Sequence, residues 1–175
     1  EFLLAHEDTL VRVPDQLDWT AAAAVPEAFI TAHDALRQAE FRAGDMVLIH
    51  AVGSGVGLAA VQLVQALGGT AIGTARHAAK LDAARPLGMA HGVVLGAALA
   101  ELPAAVAEFT GGRGVNVVLD LLGGGYTAAS VAVFVTSSLR AEPIPAEFKV
   151  NGFAIGCQAY SFNRFSVFEA IEKTA

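Results

Sequence analysis

Two hydrophobic rhythms alternate along this chain. Short, largely apolar runs stand at 46–50, 70–74, 92–95 and 115–121. Between them, at 55–67, 78–87 and 99–109, apolar residues recur at helical spacing. Runs that are apolar on both faces read as strands covered from both sides, and their alternation with helices predicts parallel strands joined by right-handed crossovers. The predicted class is therefore α/β, a doubly wound parallel sheet. Upstream, β-like runs at 2–5 and 10–13 end at Pro14. Asp18 or Thr20 is placed to cap a short helix over 21–24, and 28–38 has helical spacing just after Pro26, a residue favoured in a first helical turn. After Ser130 the rhythm degrades: 131–135 and 153–156 read as strands and 167–173 as a short helix, while 140–149 holds Pro143 and Pro145 and reads as no helix.

Composition narrows the class. At 175 residues the chain is the size of one domain and can bury a sizeable core without disulfides or metal. Its 54% hydrophobic and 16% charged residues exclude a disordered chain. A mean hydropathy of +0.52 raises the question of a membrane span. The longest apolar stretch, 56–67, is cut by Gln62 and Gln65 and falls short of the ~18 residues a span needs, so no membrane partner is expected. A net charge of −6 argues against a nucleic-acid partner. The single Cys157 forms neither an internal disulfide nor a thiolate metal site, and fits a reducing, cytoplasmic compartment. Glu1-Phe2-Leu3-Leu4 lacks the basic start and long apolar region of a signal peptide.

The strongest chemical signal is Val47-Leu48-Ile49-His50-Ala51-Val52-Gly53-Ser54-Gly55-Val56-Gly57-Leu58. An apolar strand runs into a Gly/Ser-rich turn, and a helix begins at once. Such a turn lets backbone approach a pyrophosphate, while the helix N-terminus offers free N–H groups and partial positive charge. The spacing is not a clean G-x-G-x-x-G, because Val52 and Ser54 take the first two glycine positions if Gly57 is the third. A tight strand-to-helix connection with no ligand is the competing reading. The next strand bears on the choice of cofactor. NAD sites place an acidic residue ~20 positions on, against the ribose 2′-hydroxyl. Here no Asp or Glu occurs from Ala51 through Leu81, and Arg76, His77 and Lys80 cluster at the end of that strand. Cations there favour the 2′-phosphate of NADPH, which a carboxylate would repel.

Several further stretches, in order, resemble one family. They are Ala21-Ala22-Ala23-Ala24-Val25-Pro26-Glu27-Ala28-Phe29-Ile30-Thr31-Ala32-His33, then Phe41-Arg42-Ala43-Gly44-Asp45 before the glycine turn, Gly73-Thr74-Ala75-Arg76 with Lys80-Leu81, and Thr110-Gly111-Gly112-Arg113-Gly114-Val115 running on to Leu122-Gly123-Gly124. Over about residues 1–130 the chain resembles the cofactor-binding half of the medium-chain dehydrogenase/reductase superfamily, in its zinc-free quinone oxidoreductase branch. The resemblance implies a Rossmann-type domain over 15–130, with 1–14 as the remnant of an N-terminal barrel-like substrate domain. Residues 131–175 would hold the remaining strands and the C-terminal return, with segments missing. Ser54, Gly55 and Val56 would face the pyrophosphate; Thr74, Arg76 and Lys80 the 2′-phosphate. Thr31 would lie near the nicotinamide, with Leu122 and Gly123 along its ribose. Two departures imply weaker NADPH affinity: His77 replaces a serine of the phosphate site, and Val94-Leu95 replaces an Asn-Tyr near the adenine.

The implied activity is hydride transfer from NADPH to a quinone or an α,β-unsaturated carbonyl, followed by protonation, with no metal and in a homodimer. No catalytic residue is assigned by the sequence, and a chain lacking its substrate domain is expected to be inactive alone. Two alternatives stay open. One is the enoyl reductase module of a polyketide or fatty acid synthase, which shares Thr110-Gly111-Gly112-Arg113-Gly114-Val115. The other is a non-catalytic NADPH-binding sensor or structural protein. Val25-Pro26-Glu27-Ala28 and Leu122-Gly123-Gly124-Gly125-Tyr126 favour the stand-alone reductase.

Other constellations are weak. His6, His33, His50, His77 and His91 lie on different elements, none paired at the helical i, i+4 spacing of a zinc site. His50 is expected to pack or to bond to backbone beside the glycine turn. Ser130, Ser137 and Ser138 lack the strand–turn–helix setting of a hydrolase nucleophile. Nothing in the sequence orients Tyr126 or Tyr160 as a proton donor.

Overall fold

A computed structural model of the chain describes residues 3–97 and 99–133, and the backbone of two short strands at 149–150 and 153–154. Four strands, β1 (Met46–Ile49), β2 (Thr70–Ala75), β3 (Met89–Val94) and β4 (Val117–Leu119), form one parallel sheet. Their order is β3-β2-β1-β4. Met46 pairs with Thr70 and Val47 with Val117, so β1 lies at the centre. Among the described residues six α-helices accompany them: α1 (Trp19–Ala24), α2 (Ile30–Gln38), α3 (Gly55–Ala66), α4 (Ala78–Ala84), α5 (Leu102–Thr110) and α6 (Gly125–Val131).

The period of two along each strand sorts side chains into two cores. Val47, Ile49 and Ala71 face a cluster with Leu36 of α2, Ala60, Val61 and Val64 of α3, and Leu81 of α4. Leu48 and Ile72, one residue out of phase, face the other side with Leu102 and Val106 of α5 and the partly buried Tyr126 of α6. Both faces are thus covered, which is why these strands are largely apolar on both sides.

The chain leaves β1, crosses to β2 and then β3 on one side, and returns to β4 on the other. The reversal of direction between β1 and β4 opens a crevice at the carboxyl ends of the strands, where open α/β sheets bind ligands.

Several local expectations need correction. Residues 3–6 and 10–13 form no strand; only a 3-10 turn at Glu7–Thr9 lies there, with Leu3, Leu4, Leu10 and Val11 exposed. Apolar residues over four positions make a strand only beside a partner strand, and among the described residues none pairs with these segments. Pro26 does not open a helix. It sits in a π-helical turn, Val25–Phe29, that joins α1 to α2. A proline lacks the N–H that the tighter ladder would use, so the helix widens there. Asp18 caps α1, its carboxylate accepting the Ala21 N–H at 2.7 Å. The helix expected over 78–87 ends at Ala84 and tightens into a 3-10 turn at Arg85–Leu87. The expected strand over 131–135 is wrong where it is described: Val131 ends α6, and Val133 follows in a turn whose N–H donates to Ser130 O. Val133 joins the core beside α5 and α6, while Val131 is exposed.

A second unit contains strands β5 (Lys149–Val150) and β6 (Phe153–Ala154), paired antiparallel. The rest of the 153–156 strand, the helix over 167–173, Ser137, Ser138, Cys157 and Tyr160 lie outside the described residues.

Candidate functional site

The glycine turn is built around two tight features. At the end of β1 the His50 N–H donates to Leu119 O and the Val52 N–H to Thr74 O, each at 3.0 Å, so the turn is tied to β4 and β2 at once. Ala51 then takes a left-handed φ of 48°. Ser54 caps α3, its hydroxyl accepting the Gly57 N–H at 3.1 Å. A Cβ on Gly57 would stand 2.7 Å from Val52 O and 2.8 Å from Ala51 O, so only glycine lets α3 come this close to the turn. Gly55 has open space around its Cβ position. The N–H groups of Gly55 and Val56 have no acceptor among the described hydrogen bonds. They are free donors at the positive end of a helix dipole.

Beside this turn lies a cleft of about 430 Å³. Its floor and one wall come from Ala51, Gly53, Ser54, Thr74 and Ala75. The turn after β2 supplies Arg76 and His77, and the first turn of α4 supplies Lys80, all exposed at the rim. Lys80 lies across the turn, because a Cβ on Gly53 would meet its Cδ at 2.7 Å. Among the described residues neither Arg76 nor Lys80 has an ion-pair partner. The opposite wall is Leu122 and Tyr126.

That second wall is held by Asp120. Its carboxylate accepts the N–H groups of Leu122 (3.0 Å) and Gly123 (2.9 Å) and the Thr127 hydroxyl (2.6 Å). Burial alone would raise its pKa, but the bonds from Thr127, Gly123 and Leu122, with the nearby His50, outweigh burial and hold it below the usual carboxylate value. The loop needs left-handed backbone at Gly123 (φ 71°) and Gly124 (φ 59°), where glycine is the natural residue.

Under the cleft lies a polar group that the sequence does not announce. His50 is fully buried. Its Nδ1 is 2.8 Å from Thr74 Oγ1, and its Nε2 is 2.8 Å from Ser130 Oγ. Ser130 in turn donates to Tyr126 O at 2.7 Å. The Tyr126 ring meets the imidazole edge-on, with centroids 5.1 Å apart. Burial pushes the His50 pKa down, and Asp120 opposes this only in part. Side-chain partners on both nitrogens replace the packing or backbone bond expected from sequence.

Of the nine residues the resemblance points to, Ser54, Thr74, Arg76, Lys80 and Leu122 line the cleft together. Gly55, Val56 and Gly123 adjoin it in the chain. Thr31 sits on α2 and is not among the lining residues. His77, a member of the basic cluster read from the sequence though not one of these nine, lines the cleft as well, and so does Tyr126, to which the sequence gave no binding role. The cue for His77 was its place between Arg76 and Lys80; for Tyr126 there was none, since its position depends on α6. Among the described residues no three His, Cys, Asp or Glu side chains gather to hold a metal, and no helix is long and apolar enough to cross a membrane.

A parallel sheet with a glycine turn at its switch point, free N–H groups and a basic rim defines a dinucleotide-binding domain. Residues 55–137 match the family described as zinc-binding dehydrogenase. The chain belongs to the medium-chain dehydrogenase/reductase superfamily, as part of its cofactor-binding domain. It is 43% identical over 131 residues to the spectinabilin polyketide synthase system protein NorB of Streptomyces orinoci, covering 73% of this chain and 6% of that protein. Among solved structures, the CurK enoyl reductase aligns with a TM-score of 0.64 at 35% identity, covering 71% of this chain and 37% of that one. The mycobacterial Rv1454c structure complexed with NADPH aligns with a TM-score of 0.65 at 32% identity, covering 71% and 38%. The chain therefore spans under a tenth of that polyketide synthase system protein and less than two fifths of each of these solved structures.

Proposed function

We propose that this chain is the NADPH-binding part of a reductase that delivers hydride to a carbon–carbon double bond conjugated to a carbonyl. The observation that carries the cofactor choice is the cleft rim: Arg76, His77 and Lys80 line it, and none of its lining residues is acidic. A 2′-phosphate of charge near −2 gains charge-assisted hydrogen bonds there, whereas NADH brings only a hydroxyl. The free N–H groups of Gly55 and Val56 suit the pyrophosphate. Leu122 and Gly123, held by Asp120, suit the nicotinamide ribose. Thr31, off the cleft lining, keeps a nicotinamide role only by resemblance. NADPH supplies the hydride; the chain's own residues bind it, orient it and shield one wall of the cleft.

Likeness to a polyketide synthase protein and to the CurK enoyl reductase supports an enoyl thioester as substrate. That moves the synthase module ahead of the stand-alone quinone reductase favoured by the Val25-Pro26-Glu27-Ala28 stretch. A quinone stays the second reading because a quinone oxidoreductase of Pseudomonas syringae also aligns with this chain. By the same resemblance the whole protein acts on a small molecule in the cytoplasm, as a homodimer, with 15–130 as the dinucleotide-binding domain.

Titration of the purified protein with NADPH and NADH tests the cofactor. Tighter NADPH binding is expected, and Arg76→Ala or Lys80→Ala should weaken NADPH by about ten- to a hundredfold while leaving NADH unchanged. Equal or tighter NADH binding would refute it. In the whole protein, NADPH oxidation with an enoyl thioester but not with phenanthrenequinone supports the module reading, and the reverse result favours the quinone.

A further inference from the structure

We infer that His50 is a positioning residue that fixes the two walls of the cleft relative to each other. It does so as the neutral imidazole with its proton on Nε2. This rests on the nucleotide-binding reading of the cleft and deepens it.

The proton positions follow from the geometry. A carbonyl oxygen only accepts, so the 2.7 Å contact between Ser130 Oγ and Tyr126 O uses the one hydrogen of that hydroxyl. Ser130 Oγ must then accept at its 2.8 Å contact with His50, which places a hydrogen on Nε2. A fully buried imidazole between two neutral hydroxyls stays uncharged, so Nδ1 keeps its lone pair and accepts from Thr74 Oγ1 at 2.8 Å. The result is one directed chain: Thr74 hydroxyl to His50 Nδ1, His50 Nε2 to Ser130, Ser130 to the Tyr126 carbonyl. No buried side-chain N or O atom among the described residues is left without a partner.

The chain of bonds joins parts that are far apart in sequence but adjacent in the cleft. Thr74 stands two residues before Arg76, at the root of the basic rim. Ser130 stands one helical turn after Tyr126, on the helix that carries the opposite wall. His50 also touches the Tyr126 ring edge, and its backbone N–H is tied to Leu119, next to Asp120. The titratable groups that face it are Asp120 from the end of β4 and Tyr126 from α6. Loss of the imidazole would free both walls at once.

A consequence separates this from the role that resemblance gives Thr74. Its single hydroxyl hydrogen is taken by His50, so it has none left to donate to a phosphate, which only accepts. Thr74 therefore acts through His50 on both nucleotides alike, not on the 2′-phosphate alone.

Four variants test this: His50→Leu, His50→Gln, Thr74→Val and, as a control of similar stability loss away from the cleft, Val61→Ala. In the proposal, His50→Leu and Thr74→Val weaken NADPH and NADH by the same factor, about tenfold, while Val61→Ala leaves both unchanged and His50→Gln recovers part of the loss. Thr74→Val affecting NADPH alone, or His50→Leu binding as tightly as the wild type, would overturn it. Two readouts need no ligand. Imidazole nitrogen NMR at neutral pH should show Nε2–H; an Nδ1–H form or a cation would refute the assignment. Amide exchange should quicken in both 74–80 and 120–130 in His50→Leu but not in Val61→Ala; unchanged exchange sinks the inference even if no variant binds nucleotide. Failure of the wild type to bind either nucleotide would instead refute the cofactor reading alone, leaving these two measurements to decide His50.

Discussion

Replacing Gly57 by alanine probes the closest approach in the site. The added Cβ would stand 2.7 Å from Val52 O and 2.8 Å from both Ala51 O and the Val52 carbonyl carbon. All three are backbone atoms of the turn, so no rotamer change relieves the overlap; α3 or the turn must move. Overpacking of this kind costs about 1–3 kcal/mol, and the better helix propensity of alanine returns up to about 1 kcal/mol. The net expectation is a loss of about 1–2 kcal/mol, read as a fall of roughly 0.5–1 M in the urea midpoint. Nucleotide affinity should fall by about tenfold as well, because the free N–H groups of Gly55 and Val56 shift with the helix. Gly55→Ala is the matched comparison. Its Cβ meets nothing within 4 Å, so its stability should hold within about 0.5 kcal/mol while its methyl group crowds the phosphate side. Urea unfolding and nucleotide titration of both variants give the result. A Gly57→Ala protein as stable as the wild type would refute the close-packing account of the turn.

Acidification should destabilise the fold in two stages. Burial holds His50 neutral, so the unfolded chain takes up that proton first; its contribution is intact above about pH 6.5 and is lost as pH falls below that. Asp120, held below the usual carboxylate value, adds stability that is present above about pH 4 and lost as pH drops through its folded value. Urea midpoints from pH 8 to pH 3 should show both stages, with the upper one absent in His50→Gln; a flat profile between pH 8 and pH 5 contradicts the first. Ala51→Gly should be slightly stabilising, by about 0.5 kcal/mol. Relief of left-handed strain, about 1–2 kcal/mol, exceeds the added freedom of the unfolded chain. A clear fall in its thermal midpoint would mean that Ala51 is not strained.

The segment from β1 through α3 to β2 was legible because each of its signals is local. A run of apolar residues covered on both faces, a turn rich in glycine and a helix at regular spacing lie within 30 consecutive positions, and backbone sterics translate them directly. The basic cluster Arg76, His77 and Lys80 was legible for the same reason, standing at a strand end whose position the pattern marks. Where a segment depends on a distant partner, the sequence misled. The run at 10–13 promised a strand, yet among the described residues it pairs with none, and of the run from Val131 it is Val133, just past the end of α6, that joins the core beside α5. What the sequence by itself determined is thus the parallel α/β core, the glycine turn and the charge at the rim. Only the tertiary structure decided the strand order that opens the cleft and the placing of His50 between Thr74 and Ser130, 24 and 80 residues away. A buried hydrogen bond between distant residues has no period and no local composition; it exists only once the sheet brings the ends of β1 and β2 beside α6.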